Sequence, residues 1–353
     1  MSKQSKNTMR AMIYLEPGKL EMQTIPMPKP GPEDILVRIR AALTCGTDLK
    51  TYRRGHPVIK PPTVFGHELA GDVVEVGSAV QHFKPGMRVV AHNSAPCGHC
   101  YWCKHDQQSM CEAPVYNFGA YAEYIVIPGP IVRLNTYEIP AHISYQQAAI
   151  MEPLSTVVHG QSKLNIQPGE RVAIIGAGGP IGLMHLQLAL LHGASQVIAV
   201  DMKDSRLQMA KELGATHTIN PQHQDLFGEI NRLTDGIGVD AVIESAGAVE
   251  AWQNAVKVVR KGGRVLWFGG LPQGTPVQVD SYDVHYGELT FYGIYHCTPV
   301  DVYHAYQLIC SETINTEKLI TGQVPLSGVE DALLAMYEGK CIKMAIVPDM
   351  EER

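Results

Sequence analysis

Along the first third of the chain apolar residues come in short alternating runs. ILVRIRAAL starts at Ile35, GDVVEVG at Gly71, GMRVVAH at Gly86 and AEYIVI at Ala122, each closed by turn residues. Alternation of this kind reads as half-buried strands, and the frequent breaks predict a β-rich, barrel-like domain from Met9 to about Val132. Pro26, Pro28, Pro30 and Pro32 punctuate one connection and are excluded from central strands. Residues 1–8 are polar and are expected to be loose. Helical patterning begins near Ser144, a cap for the segment holding Gln146 and Gln147.

From about Asn165 the pattern changes to apolar runs alternating with helical stretches. Strands are predicted over 172–175, 197–200, 216–219, 239–243, 264–268 and 289–292, with helices between most of them, notably 205–213 and 249–260. That order describes a doubly wound parallel sheet. Helices over 300–310 and 328–338 follow, and the last run, MAIVP, is too short to stand alone and should return to the first domain.

Within this second half, a β-branched run leads into a glycine-rich turn made of Gly176, Ala177, Gly178, Gly179, Pro180, Ile181 and Gly182. A helical run and a second strand ending on Asp201 complete the unit. Strand, turn, helix, strand and terminal acid form the context of a dinucleotide fingerprint. The glycines admit a pyrophosphate to the backbone, the helix N-terminus supplies free N–H groups, and the acid accepts from ribose hydroxyls. The turn is one residue too long for GxGxxG: counted from Gly176, the third glycine position falls on Ile181, and counted from Ala177, Gly179 and Gly182 fit but the first position is alanine.

A chain of 353 residues has room for about two domains. The net charge of −6, from 29 basic and 35 acidic residues without a Lys/Arg cluster, argues against a nucleic-acid partner. The opening MSKQSKNTMR lacks the apolar core of a signal peptide, and no run spans a membrane without glycine, histidine or charge. A cytoplasmic protein is therefore expected. In that reducing setting the eight cysteines read as metal ligands or buried thiols.

Cys97, Cys100, Cys103 and Cys111 form C-x2-C-x2-C-x7-C, a spacing that can close four thiolates around a structural zinc. The alternatives are four unrelated thiols or an iron–sulfur cluster, and the absence of a second cluster region favours zinc. A second set is scattered: Cys45 in TCGTD, His67 and Glu68 in FGHE, and Glu152 in MEPL. Mixed sulfur, nitrogen and oxygen ligands suit a catalytic zinc with an open position. Each residue alone has a plainer reading: a core histidine, a buried thiol, or a helix-capping acid followed by Pro153. Adjacent residues of a regular strand face opposite ways, so His67 and Glu68 can share an ion only at a distorted turn. Thr47 could relay a proton, or could be a turn hydroxyl.

Taken together, TCGTD, GHE with Gly71 and the VxEVG run, the four-cysteine loop, GAYAEY, MEPL, the glycine turn and VIESAG resemble the zinc-dependent medium-chain alcohol and polyol dehydrogenases. The branch most similar is that of the sorbitol, threonine and butanediol dehydrogenases, and the resemblance runs from about Met9 to Pro348. It implies an α/β protein with a GroES-like β-rich catalytic domain, residues 1–155 completed by 296–353. A Rossmann doubly wound NAD-binding domain would occupy 156–295. It implies a catalytic zinc on Cys45, His67 and Glu152 with Glu68 or water as fourth ligand, a structural zinc on the four-cysteine loop, and Thr47 as relay hydroxyl. Asp201 would select NAD over NADP, with Arg206 nearby. Phe268, Gly269 and Gly270, and Ile294, Tyr295 and His296, would lie along the nicotinamide half. A homo-oligomer, tetramer or dimer, is implied as well. One further departure is Lys50, where many relatives carry a relay histidine. The implied reaction is hydride transfer from a secondary alcohol (a polyol, sugar alcohol or diol) to NAD, with zinc as Lewis acid. The rivals are a threonine-type amino-alcohol dehydrogenase and a non-catalytic NAD- and zinc-binding protein.

Overall fold

The computed structural model describes residues 7–351. The chain forms two compact units: 1–155 with 297–312 and 316–353, and 156–296 with 313–315. It passes from the first to the second inside helix Met151–Leu164.

In the first unit the alternating runs become strands of two main sheets. Thr8–Glu16 pairs with Lys19–Pro26 on one side and Thr63–Val64 on the other. A seven-stranded sheet runs Thr136–Glu138, Arg88–Ala91, Glu68–Val76, Ile35–Leu43, Lys343–Ile346, Ile320–Val324, with Tyr124–Ile127 also against Ile35–Leu43. Inward-facing residues of both sheets share one core, where Phe65 stacks on Tyr14 at 5.2 Å and meets Tyr121 edge-on at 5.9 Å. The terminal run does return here: Ala345 lies opposite Leu43 in antiparallel register. Of the residues expected to be loose, 1–6 lie outside the described residues. Thr8 corrects the rest, because it already pairs with Pro26 in a strand.

The second unit is a six-stranded parallel sheet. In spatial order its strands are His217–Ile219, Gln196–Val200, Arg171–Ile175, Val239–Glu244, Val259–Trp267 and Thr290–Gly293. The order reverses between Arg171–Ile175 and Val239–Glu244, the place where open α/β sheets bind ligands. The fifth strand is longer than expected. Helix Val249–Val258 stops two residues short of 260, and the chain turns extended at Val259 because Gly262, at φ +67°, and Gly263 break the helical pattern.

Candidate functional site

Strand Ile35–Leu43 runs straight into a helix, Gly46–Arg54, with Cys45 as its N-cap. The Cys45 Sγ accepts from the Thr47 N–H at 3.5 Å, so a thiolate here would sit at the positive end of the helix. Leu43 lies opposite Glu68 in the neighbouring strand, which brings the FGHE segment to the same spot. His67 is an irregular residue just before that strand. Gly66, at φ +84°, packs so tightly on the Tyr121 ring that a Cβ would fall 2.6 Å from it. That distortion lets adjacent residues face one point. One atom each from Cys45, His67 and Glu68 lies within 4.8 Å of the others. Glu152 Oε2 lies 4.0 Å from His67 Nε2.

The surroundings prepare these groups. His67 Nδ1 donates to Asp48 Oδ1 at 2.9 Å, leaving Nε2 toward the cluster, and Asp48 Oδ2 accepts from Tyr121 at 2.6 Å. A ligating histidine needs such a partner on its other nitrogen. Lys343, buried in the terminal strand, donates to Glu68 Oε1 at 2.9 Å and to the Thr44 carbonyl at 2.7 Å, with Glu68 Oε2 at 2.8 Å. Burial pushes the Cys45 thiol up, and the Glu68 charge adds to that. Burial alone would push His67 down, but Asp48 and Cys45 hold it well above the usual imidazole value. Burial raises Glu152 to about 7. The donor set of thiol, imidazole and carboxylate fits zinc. Thr47 stands beside Cys45 on the helix, whereas Lys50 is exposed.

The four loop cysteines also converge, one sulfur each within 4.8 Å, with Cys97 to Cys103 and Cys100 to Cys111 each at 4.0 Å. Four sulfurs at that separation match a closed tetrahedral site.

In the second unit the extra turn residue finds its explanation. Gly176 takes φ +81°, and a Cβ there would meet the Ala246 backbone at 2.7 Å. One at Gly182 would meet the Gly176 carbonyl at 2.3 Å, and one at Gly178 would meet Arg206 Cβ at 2.3 Å. Gly179 alone has ordinary clearance and serves as N-cap of helix Pro180–Leu191. Packing therefore requires glycine at Gly176, Gly178 and Gly182, with Ala177 and Ile181 between them, and leaves Gly179 as the residue it does not constrain. Asp201 accepts from the Gly178 N–H at 3.0 Å and the Lys203 N–H at 3.1 Å. Arg206 is half-buried with its Nε unpartnered. Phe268, Gly269 and Gly270 follow the fifth strand and reach the loop of Ser245 to Gly247, where a Cβ on Gly247 would lie 3.3 Å from the Gly270 carbonyl. Ile294, Tyr295 and His296 follow the sixth. Burial, with His159 nearby, lowers His296 to about 4. Each of these segments leaves the C-terminal end of a parallel strand, so they share one edge of the sheet.

Sequence reading passed over Asp48, Lys343, Asn93 and Glu244. Asp48 stands within TCGTD and Lys343 is a lone charge entering an apolar run, so both left a signal; Asn93 left none.

Residues 31–141 match the family model of the alcohol dehydrogenase GroES-like domain, and 180–311 that of the zinc-binding dehydrogenases. The chain is 33% identical to a sorbitol dehydrogenase of Bacillus subtilis, over 97% of this chain and 98% of that one. It is 36% identical to an L-threonine 3-dehydrogenase of Symbiobacterium thermophilum, over 98% and 99%. A crystal structure from Sinorhizobium meliloti, described as a zinc-binding dehydrogenase bound to NADP, superposes with a TM-score of 0.90 at 31% identity. It covers 97% of this chain and 100% of that one.

Proposed function

The chain belongs to the zinc-dependent medium-chain dehydrogenases, and from that membership we propose that it oxidises a secondary alcohol, a polyol, sugar alcohol or diol, with NAD as hydride acceptor. The observation that carries the reading is the convergence of Cys45, His67 and Glu68, with Glu152 at its rim and the Thr47 N–H on the Cys45 sulfur. When bound there, zinc supplies a Lewis acid for the alcohol oxygen, and the coenzyme supplies the hydride acceptor. Cys45, His67 and Glu152 are assigned as ligands. Lys343 engages both Glu68 oxygens, which favours leaving the fourth position to solvent or substrate. Asp48 orients His67, and Thr47 carries the substrate proton outward.

The metal chemistry is assigned to 1–155 with 296–353 and the coenzyme to 156–295. Pyrophosphate is read at Gly176, Ala177, Gly178, Gly179, Pro180, Ile181 and Gly182, and the nicotinamide half along Phe268, Gly269, Gly270, Ile294, Tyr295 and His296. A second zinc is assigned to Cys97, Cys100, Cys103 and Cys111. NAD is preferred over NADP because the Asp201 carboxylate would repel a 2′-phosphate, with Arg206 the one nearby group that could offset it. A dimer or tetramer is supported by the sheet edge at Thr290–Gly293, paired on one side only among the described residues. None of the eight cysteines is in a disulfide, which suits the cytoplasm. No helix of the described residues is long and apolar enough to cross a membrane.

The test is a screen of sorbitol, xylitol, butane-2,3-diol and threonine with NAD and with NADP, following the reduced coenzyme. Turnover is expected with a polyol or diol and NAD, and Asp201→Ala should narrow the gap between coenzymes. Threonine as the best substrate would favour the amino-alcohol reading, and no turnover with any alcohol would sink the proposal.

A further inference from the structure

Strand Arg88–Ala91 runs out into three buried polar residues, His92, Asn93 and Ser94. Asn93 Nδ2 donates to Glu152 Oε1 at 2.9 Å, while Oε2 of the same carboxylate is the atom 4.0 Å from His67 Nε2. The carboxylate fixes the sense of the amide, since the reverse orientation would set two acceptors against each other. Asn93 Oδ1 is buried and has no partner among the described residues. Such an orphaned carbonyl costs stability. For folding alone, an apolar side chain of that size would serve better.

His92 reaches the same helix by another route. The Ser94 N–H donates to His92 Nδ1 at 3.2 Å, which leaves Nε2 as the protonated nitrogen, 3.2 Å from Ser155 Oγ. Ser155 Oγ in turn donates to the Glu152 carbonyl at 2.6 Å. Glu152 is therefore held at both ends from one strand terminus: its carboxylate by Asn93, and its main chain by His92 through Ser155. The two carboxylates of the cluster differ in this. Glu68 is held by a cation, Lys343, whereas Asn93 directs Glu152 through a single neutral donor and leaves its charge intact.

We propose that Asn93 is a positioning residue for the metal centre: it ties down Glu152 Oε1 so that Oε2 is the oxygen presented toward the ion, while His92 and Ser155 hold the main chain behind it. This rests on the placement of Glu152 at the catalytic zinc. A neutral donor on Oε1 stops the carboxylate from rotating away and would leave Oε2 to meet an ion held there. Outer partners of metal ligands act in this way on affinity and on the polarising power of the ion.

The test uses the full chain carrying Asn93→Leu, Glu152→Ala, or both. It reads the affinity of the catalytic zinc by chelator competition, the visible spectrum after cobalt exchange, and kcat against KM. Asn93→Leu is expected to weaken the catalytic zinc by about ten- to a hundredfold. It should also shift the cobalt bands and lower kcat with little change in KM. The loop-cysteine metal should stay bound and the melting temperature should hold or rise, which a merely structural role would not give. In the Glu152→Ala background the same substitution should change zinc affinity by less than about twofold, because nothing remains to be oriented. Equal losses in both backgrounds, or an unchanged affinity and spectrum in Asn93→Leu alone, overturn the proposal. If Glu152→Ala itself leaves zinc and turnover intact, the placement of Glu152 fails instead. Should Asn93→Leu not fold, Asn93→Ala removes the donor without adding bulk and carries the same cycle.

Discussion

Two carboxylates flank His67, and substitution separates what each does. Glu152 begins a helix, and an acid there could simply cap it; losing a cap costs about 1 kcal/mol and spares turnover. At the metal, Glu152→Gln removes charge while nearly keeping shape, and turnover should fall at least about a hundredfold. The catalytic zinc should bind more weakly and the loop zinc should be unaffected, as steady-state kinetics with elemental analysis would show. Near-normal turnover with both zincs retained would return Glu152 to the cap. Glu68 is the opposite case. Lys343 is fully buried against it, so Lys343→Met strands a carboxylate in the core. The expected cost is about 3–5 kcal/mol, read by urea denaturation, and most of it should be recovered in Lys343→Met with Glu68→Gln.

At the scale of elements, the C-terminal strand ends carry the segments proposed to line the coenzyme, and Glu244 holds those strand ends. Its Oε1 accepts from the N–H groups of Ala246 and Gly247 at 2.8 and 2.7 Å, and its main-chain carbonyl accepts from those of Phe268 and Gly269. Burial raises this carboxyl from 4.5 to about 7, against the pull of those N–H groups. The folded state therefore keeps its proton where the unfolded chain has lost it, and stability declines as pH rises between those two values. Glu244→Gln copies the protonated form. The variant should match the parent near pH 4.5 and gain on it by on the order of 1–3 kcal/mol above pH 7, as melting curves across that range would show. A constant difference at all pH values would contradict this. The strands and helices of this unit were legible because a strand buried on both faces writes a continuous apolar run, as Val172 to Ile175 does. Glu244 was not legible as an anchor, since the bonds it makes are to backbone, which leaves no residue pattern. In the glycine turn the count was legible but the roles were not: Gly179 and Gly178 look alike as letters, and only the approach of Arg206 tells them apart.

For the whole molecule, the two proposed metal centres differ in closure, and that difference implies a sequence of losses. On the proposed assignment four sulfurs enclose the loop site, whereas a site of Cys45, His67 and Glu152 would keep a position open, and an open site exchanges its ligands sooner. Mild chelation should first remove one of two zincs and all activity with little change in melting, and only later the second zinc, with unfolding. Elemental analysis giving one zinc per chain, or iron, would overturn the assignment. The route of the chain through this architecture has its own consequence. Ser155, where the chain leaves the first unit, lies 3.2 Å from Cys297, where it re-enters. Exit and entry are neighbours, so residues 156–296 are an insertion with adjoining ends, the arrangement that tolerates excision and exchange. On the proposed assignment a dinucleotide module from another protein, matched to 313–315, could be spliced across that gap without disturbing the strand order of the first unit, leaving coenzyme preference and alcohol preference open to change independently of each other.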